Sequence, residues 1–81
     1  MTAGRRLAVV GAGAVGGSVV DLAAAYGHTV VALADSTSAV VDNGGIDADA
    51  AVERKAAEGH VGDSDPEDAL HADYDVLVEA T

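Results

Sequence analysis

The sequence predicts an α/β fold in which three parallel strands alternate with helices. Leu7 to Val10 and Thr29 to Ala34 ("TVVALA") are short continuous apolar runs, as expected of strands covered on both faces. Between them, Val15, Val19, Leu22, Ala23 and Tyr26 recur at helical spacing. Strand and helix in alternation imply a parallel sheet with helices on its faces. Right-handed crossovers then place the second and third strands on either side of the first, in the order 2-1-3.

Each element has a local justification. The first strand runs into a glycine-rich turn, Gly11 to Gly17, which opens a helix over Ala14 to Tyr26 with Gly27 as its stop. Asp35 to Ile46 is polar and turn-rich, with Asn43-Gly44-Gly45 its clearest turn. Asp47 is placed to cap a helix from Ala48 to Glu58, which Gly59 ends. "DPED", residues 65 to 68, reads as a helix start: Asp65 at the N-cap, Pro66 at the first helical position, acids in the first turn. That helix ends near Ala72, and Val76 to Val78 forms the third strand, read as buried.

At 81 residues the chain is one domain at most. A chain of this size buries only about 60–65% of its unfolded surface. It has no Cys, Phe or Trp, so no disulfide reinforces a core made mostly of Ala and Val. The expectation is a piece of a larger domain. No apolar run approaches the ~18–20 residues of a membrane span. The stretch after Arg5 and Arg6 is broken by Gly11, Gly13, Gly16 and Gly17, unlike a signal peptide. A soluble, cytoplasmic chain is expected.

The formal net charge is −10, from 14 acids and 4 bases. Residues 1–34 carry Arg5, Arg6 and Asp21, net +1; residues 35–81 carry 13 acids against Arg54 and Lys55, net −11. Such a surface excludes nucleic acid as a partner. It suits molar intracellular salt, where self-repulsion is screened within about 3 Å at 1 M, so a halophilic source is expected.

"VVGAGAVGG" contains G-x-G-x-x-G at Gly11, Gly13 and Gly16. Following a strand and opening a helix, it reads as a dinucleotide-binding turn of the Rossmann type. Gly11 permits the tight turn, Gly13 a close approach of backbone to pyrophosphate, and Gly16 close packing of helix on sheet. Free N–H groups and the positive end of the helix dipole would stabilise the phosphate charge. Asp35 lies 19 residues after Gly16, at the end of the second strand, where a carboxylate accepts hydrogen bonds from the adenosine ribose. It favours NAD over NADP by repelling a 2′-phosphate. Against that stand the hydroxyls of Ser36, Thr37 and Ser38 and the bases Arg54 and Lys55, which either reach the nucleotide or pair with Glu58 as a solvated helix face. No catalytic or metal constellation is visible. His28 sits at a helix exit, His60 and His71 read as exposed, and Asp63, Asp65, Glu67 and Asp68 lack the spacing of a calcium loop.

The segment from Asp35 to Gly59 resembles the homoserine dehydrogenases. The resemblance rests on Asp35-Ser36 after the second strand, a short apolar hairpin at Ala39-Val40-Val41, the Asn43-Gly44 turn, Gly45-Ile46-Asp47 at a helix entry, Lys55 to Gly59 at its exit, and the closing "DVLVEAT". Glutamate dehydrogenases have a similar stretch, but late in a longer chain. The resemblance implies a Rossmann-type βαβαβ half, residues 1–81, cut before the rest of the nucleotide domain and lacking a substrate domain. The parent it implies is a homo-oligomeric oxidoreductase of amino-acid biosynthesis, on the route to threonine and methionine. That enzyme moves a hydride between NAD or NADP and the homoserine/aspartate-4-semialdehyde pair. By position, Ala12, Gly13, Ala14 and Val15 line the pyrophosphate and ribose; Asp35 and Ser36 lie by the adenosine ribose; Lys55 approaches a nucleotide phosphate; Ala80 and Thr81 lie near the nicotinamide ribose. There is no Arg after the second strand, as NADP-preferring members often have, and the catalytic residues are expected beyond residue 81. Two rivals are a regulatory nucleotide-sensing domain of a channel or transporter, which the long Asp35–Ile46 excursion disfavours, and another amino-acid dehydrogenase. A half-domain of this kind also risks binding nothing, or self-associating through an exposed sheet edge.

Overall fold

A computed structural model describes residues 4–11 and 14–79, with the side chains of residues 14–16 and 48 left aside. The elements are β1 (Arg6–Val10), α1 (Ala14–Ala25), β2 (Thr29–Ala34), β3 (Ala39–Val41), α2 (Ala48–Glu58), α3 (Pro66–Leu70) and β4 (Val76–Glu79). The sheet has the order β3-β2-β1-β4. β2 and β4 both run parallel to β1, whose register sets Val10 opposite Ala34 on one side and Glu79 on the other. The expected order 2-1-3 is therefore present as β2-β1-β4.

The expectation of a three-stranded, all-parallel sheet needs correcting: among the described residues the sheet has four strands and is mixed. β3 returns antiparallel to β2, pairing Ala34 with Ala39 and Ala32 with Val41. The cause lies in the turn. The Asp35 N–H donates to the Ser38 carbonyl at 2.9 Å, closing a four-residue reversal that sends Ala39 back along β2. Ser64 then exchanges backbone hydrogen bonds with Ala39 on the outer side of β3. Gly62 packs so tightly there that a Cβ would collide with the Ala39 carbonyl.

β1 and β2 are buried at their centres, as continuous apolar runs should be. On one face Leu7, Val9, Val20, Ala23, Val30, Leu33, Ala51 and Val61 form the larger core. The opposite face is a thin layer of alanines, Ala8, Ala32, Ala34, Ala39 and Ala69, which lets α3 sit close to the sheet. β4 is not the buried strand the sequence suggests: Val76 and Leu77 are each 42% exposed. It pairs only with β1 among the described strands, and α3, the helix preceding it, ends at Leu70.

The caps are as read from sequence. Asp47 Oδ1 accepts the Ala50 N–H at 3.1 Å, and Gly59 ends α2 at φ 83°. Pro66 opens α3, and Asp68 Oδ2 accepts the Asp65 N–H at 3.1 Å. At the N-terminal end of the sheet, Arg6 donates to the Asn43 and Asp73 carbonyls at 2.6 and 2.8 Å, tying the β3–α2 turn to the entry of β4. No helix among the described residues is long and apolar enough to cross a membrane.

Candidate functional site

The chain crosses from β1 to one side to make β2 and to the other side to make β4. In open α/β sheets, the crevice at the carboxyl ends of strands where the order reverses is where ligands bind. Gly11, Asp35 and Glu79 follow or end the three parallel strands at that edge. The Gly11 N–H donates to the Ala34 carbonyl at 2.7 Å, so the exit of β1 is fastened directly to the residue before Asp35. Gly11 has φ 113°, a region that L side chains rarely adopt, which gives the turn its physical need for glycine. α1 begins at Ala14, immediately beyond this turn. Ala12, Gly13, Ala80 and Thr81 lie outside the described residues, as do the side chains of Ala14 and Val15 and the surroundings of Gly16.

Asp35 is the most constrained side chain of this edge. Its Oδ1 accepts four donors: the Thr37 and Ser38 N–H groups at 2.8 and 2.6 Å, and their hydroxyls at 3.2 and 3.0 Å. Its Oδ2 accepts the Lys55 ammonium at 2.8 Å. Burial alone would raise the carboxyl's pKa. The Lys55 ammonium and the donors from Thr37 and Ser38 outweigh that and hold it well below the usual carboxylate range. The Ser38 hydroxyl also accepts the Val61 N–H at 3.0 Å, so the loop after α2 is docked on the turn after β2. Ser36 and Thr37 are exposed, while Ser38 is buried.

Lys55 therefore does not pair with Glu58. Arg54 does, at 3.5 Å, together with Asp63 at 2.7 Å. The other sequence candidates take structural places. His28 Nδ1 accepts the Arg5 N–H at 2.9 Å, and His71 caps α3. His60, expected to be exposed, is half-buried with its Nε2 3.7 Å from Glu58. The acids of residues 63–68 are engaged with Arg54 and in the start of α3, and no metal-binding group of His, Cys, Asp or Glu occurs among the described residues. A cavity of about 360 Å³ lies at the opposite end of β2, lined by His28, Val30, Ile46 and Asp47, away from the strand ends that carry Gly11 and Asp35.

Sequence reasoning missed the pairing of Lys55 with Asp35 and the part of Ser38. The spacing offered one signal: a base three residues before the end of a helix that returns beside the strand end.

A profile of the Glutamate/Leucine/Phenylalanine/Valine dehydrogenases matches residues 1–80. The chain belongs to this dehydrogenase family. Among solved structures, this family member is similar to a homoserine dehydrogenase from Thermoplasma acidophilum, with 26% identity and a TM-score of 0.77. The similarity covers 95% of the dehydrogenase-family chain described above and 26% of the Thermoplasma chain, so the chain spans about a quarter of that protein's length. No curated protein sequence matches it.

Proposed function

We propose that the chain is the nucleotide-binding segment of a nicotinamide-dependent dehydrogenase, residues 1–81 forming the first part of the dinucleotide domain. The observation that carries this reading is the meeting of Gly11, the start of α1 and Asp35 at the carboxyl edge of the sheet, next to the switch between β1 and β4. The residues fit such a cofactor. A turn that demands glycine leads into a helix N-terminus, and a buried, ionised carboxylate follows the second strand. Gly11, Ala12, Gly13, Ala14, Val15 and Gly16 would cradle the pyrophosphate. Asp35 and Ser36 would bind the adenosine ribose, with Lys55 beside them and Ala80 and Thr81 toward the nicotinamide. When bound, the nicotinamide ring supplies the hydride chemistry; the residues of this chain hold and orient it.

The parent enzyme is proposed to act on homoserine and aspartate-4-semialdehyde. The support is the agreement of the Asp35–Gly59 pattern with the similarity to the Thermoplasma homoserine dehydrogenase. The family match favours a second reading, a parent that oxidises a different amino acid. Assays of the full-length parent with homoserine and with glutamate, leucine, phenylalanine and valine decide between them. NAD is the preferred cofactor in this proposal, because Asp35 is ionised at the ribose position.

The test of the segment itself is a titration of NADH and NADPH, side by side in 2 M KCl, with the fold confirmed by circular dichroism. Tighter binding of NADH is expected. Tighter binding of NADPH reverses the cofactor preference, and no binding to a folded chain removes the nucleotide reading.

A further inference from the structure

We infer that Lys55 is an internal competitor of the nucleotide ribose for Asp35, so that a ribose hydroxyl must displace an ammonium to reach the carboxylate. The inference rests on the dinucleotide reading above. Four donors already converge on Oδ1, two from backbone and two from hydroxyls. An oxygen with two lone pairs has no direction left for a fifth. Oδ2 is the remaining acceptor, and Lys55 Nζ stands 2.8 Å from it. The Asp35 side chain is 5% exposed and the Lys55 side chain 33%, so Lys55 is the more accessible partner of the pair.

Lys55 is also built to leave. Its Nζ has a second acceptor in the Gly59 carbonyl at 3.1 Å, at the end of its own helix. Its stem is flexible, and its three donors rotate freely. Asp35 is not equally free. Ser38 donates to Oδ1 while accepting the Val61 N–H, which holds the carboxylate in one orientation with only Oδ2 available. Lys55 and Ser38 are thus positioning residues. Ser38 fixes which oxygen is offered, and Lys55 sets what a hydroxyl must overcome to reach it.

The probes are ADP and 2′-deoxy-ADP, titrated into the chain and into Lys55→Met and Lys55→Arg variants. Lys55→Met is expected to tighten ADP about two- to fivefold, the range of a partly exposed ion pair, and 2′-deoxy-ADP by less. Lys55→Arg, which keeps a cation against Asp35 but presents it as a planar fork, is expected not to tighten ADP. ADP weakened by Lys55→Met, or both ligands moved equally or not at all, overturns the inference. Should Lys55→Met fail to fold, the unsubstituted chain provides a second readout. Lys55 is the only lysine in the sequence, so its ammonium gives a single assignable NMR signal. That signal is expected to shift on adding ADP and to shift less with 2′-deoxy-ADP; a stationary signal in the presence of bound ADP overturns the assignment. A chain that binds neither ADP nor NADH refutes the dinucleotide reading itself.

Discussion

Asp35 is the single buried acid of the fourteen in this chain, and the local structure is arranged around its charge. Its depressed pKa fixes the sign of a pH effect. The stabilisation is fully present above about pH 4, the ordinary value of an unfolded aspartate, and is lost as pH falls toward the folded value. Urea unfolding at pH 7 and pH 3 should show a larger loss for the native chain than for Asp35→Asn, which has no such proton to take up. Equal losses would remove Asp35 as the acid-sensitive group. Ser38→Ala is expected to cost about 1–3 kcal/mol, because it strips the buried Val61 N–H of its acceptor as well as Asp35 of a donor. Gly11→Ala is expected to cost more than about 1 kcal/mol, since φ 113° is strained for any residue with a Cβ. Denaturant midpoints of the two variants check both values.

At the level of elements, what could be read in advance was what depends on neighbours in sequence. The caps at Asp47, Gly59 and Pro66 are local chemistry, and α2 and α3 each begin directly after the N-cap read for them, Asp47 and Asp65. β1 and β2 were legible for a similar reason: a strand covered on both faces is apolar throughout. β3 was not legible as part of the sheet. Three residues carry no period, and what holds them is Asp35 folding its side chain over its own turn together with Ser64 arriving from 25 positions away. The exposure of β4 was likewise hidden, because an apolar run says nothing about how many neighbours it has. The candidate site divides along the same line. Gly11 and Asp35 are announced by spacing, whereas the Lys55 pairing depends on how α2 returns across the sheet. Gly62→Ala tests the long-range part. Its Cβ would collide with the Ala39 carbonyl, so protection of the Ala39 and Ser64 amides from hydrogen exchange should fall, while that of β1 and α1 persists.

Across the whole molecule, electrostatics works against the fold at low salt. Thirteen of the fourteen acids are exposed, and the ion pairs of Arg6 and Arg54 involve solvent-exposed partners worth little individually. A net charge of −10 spread over a Cα radius of gyration of 11.2 Å is then dominated by self-repulsion. The core opposing it is small, and on one face it consists of alanine. The Debye length shrinks from about 10 Å at 0.1 M to about 3 Å at 1 M, so most of this repulsion disappears in molar salt. The thermal midpoint followed by circular dichroism should therefore rise steeply between 50 mM and 2 M KCl. Screening is separated from a general salt effect on apolar burial by Glu53→Lys, an exposed site on α2 that lowers the net negative charge by two. That variant should start from a higher midpoint and gain less from salt. A native chain as fully folded in 50 mM as in 2 M KCl, or a variant with an unchanged salt response, would show that packing and not charge limits this fold.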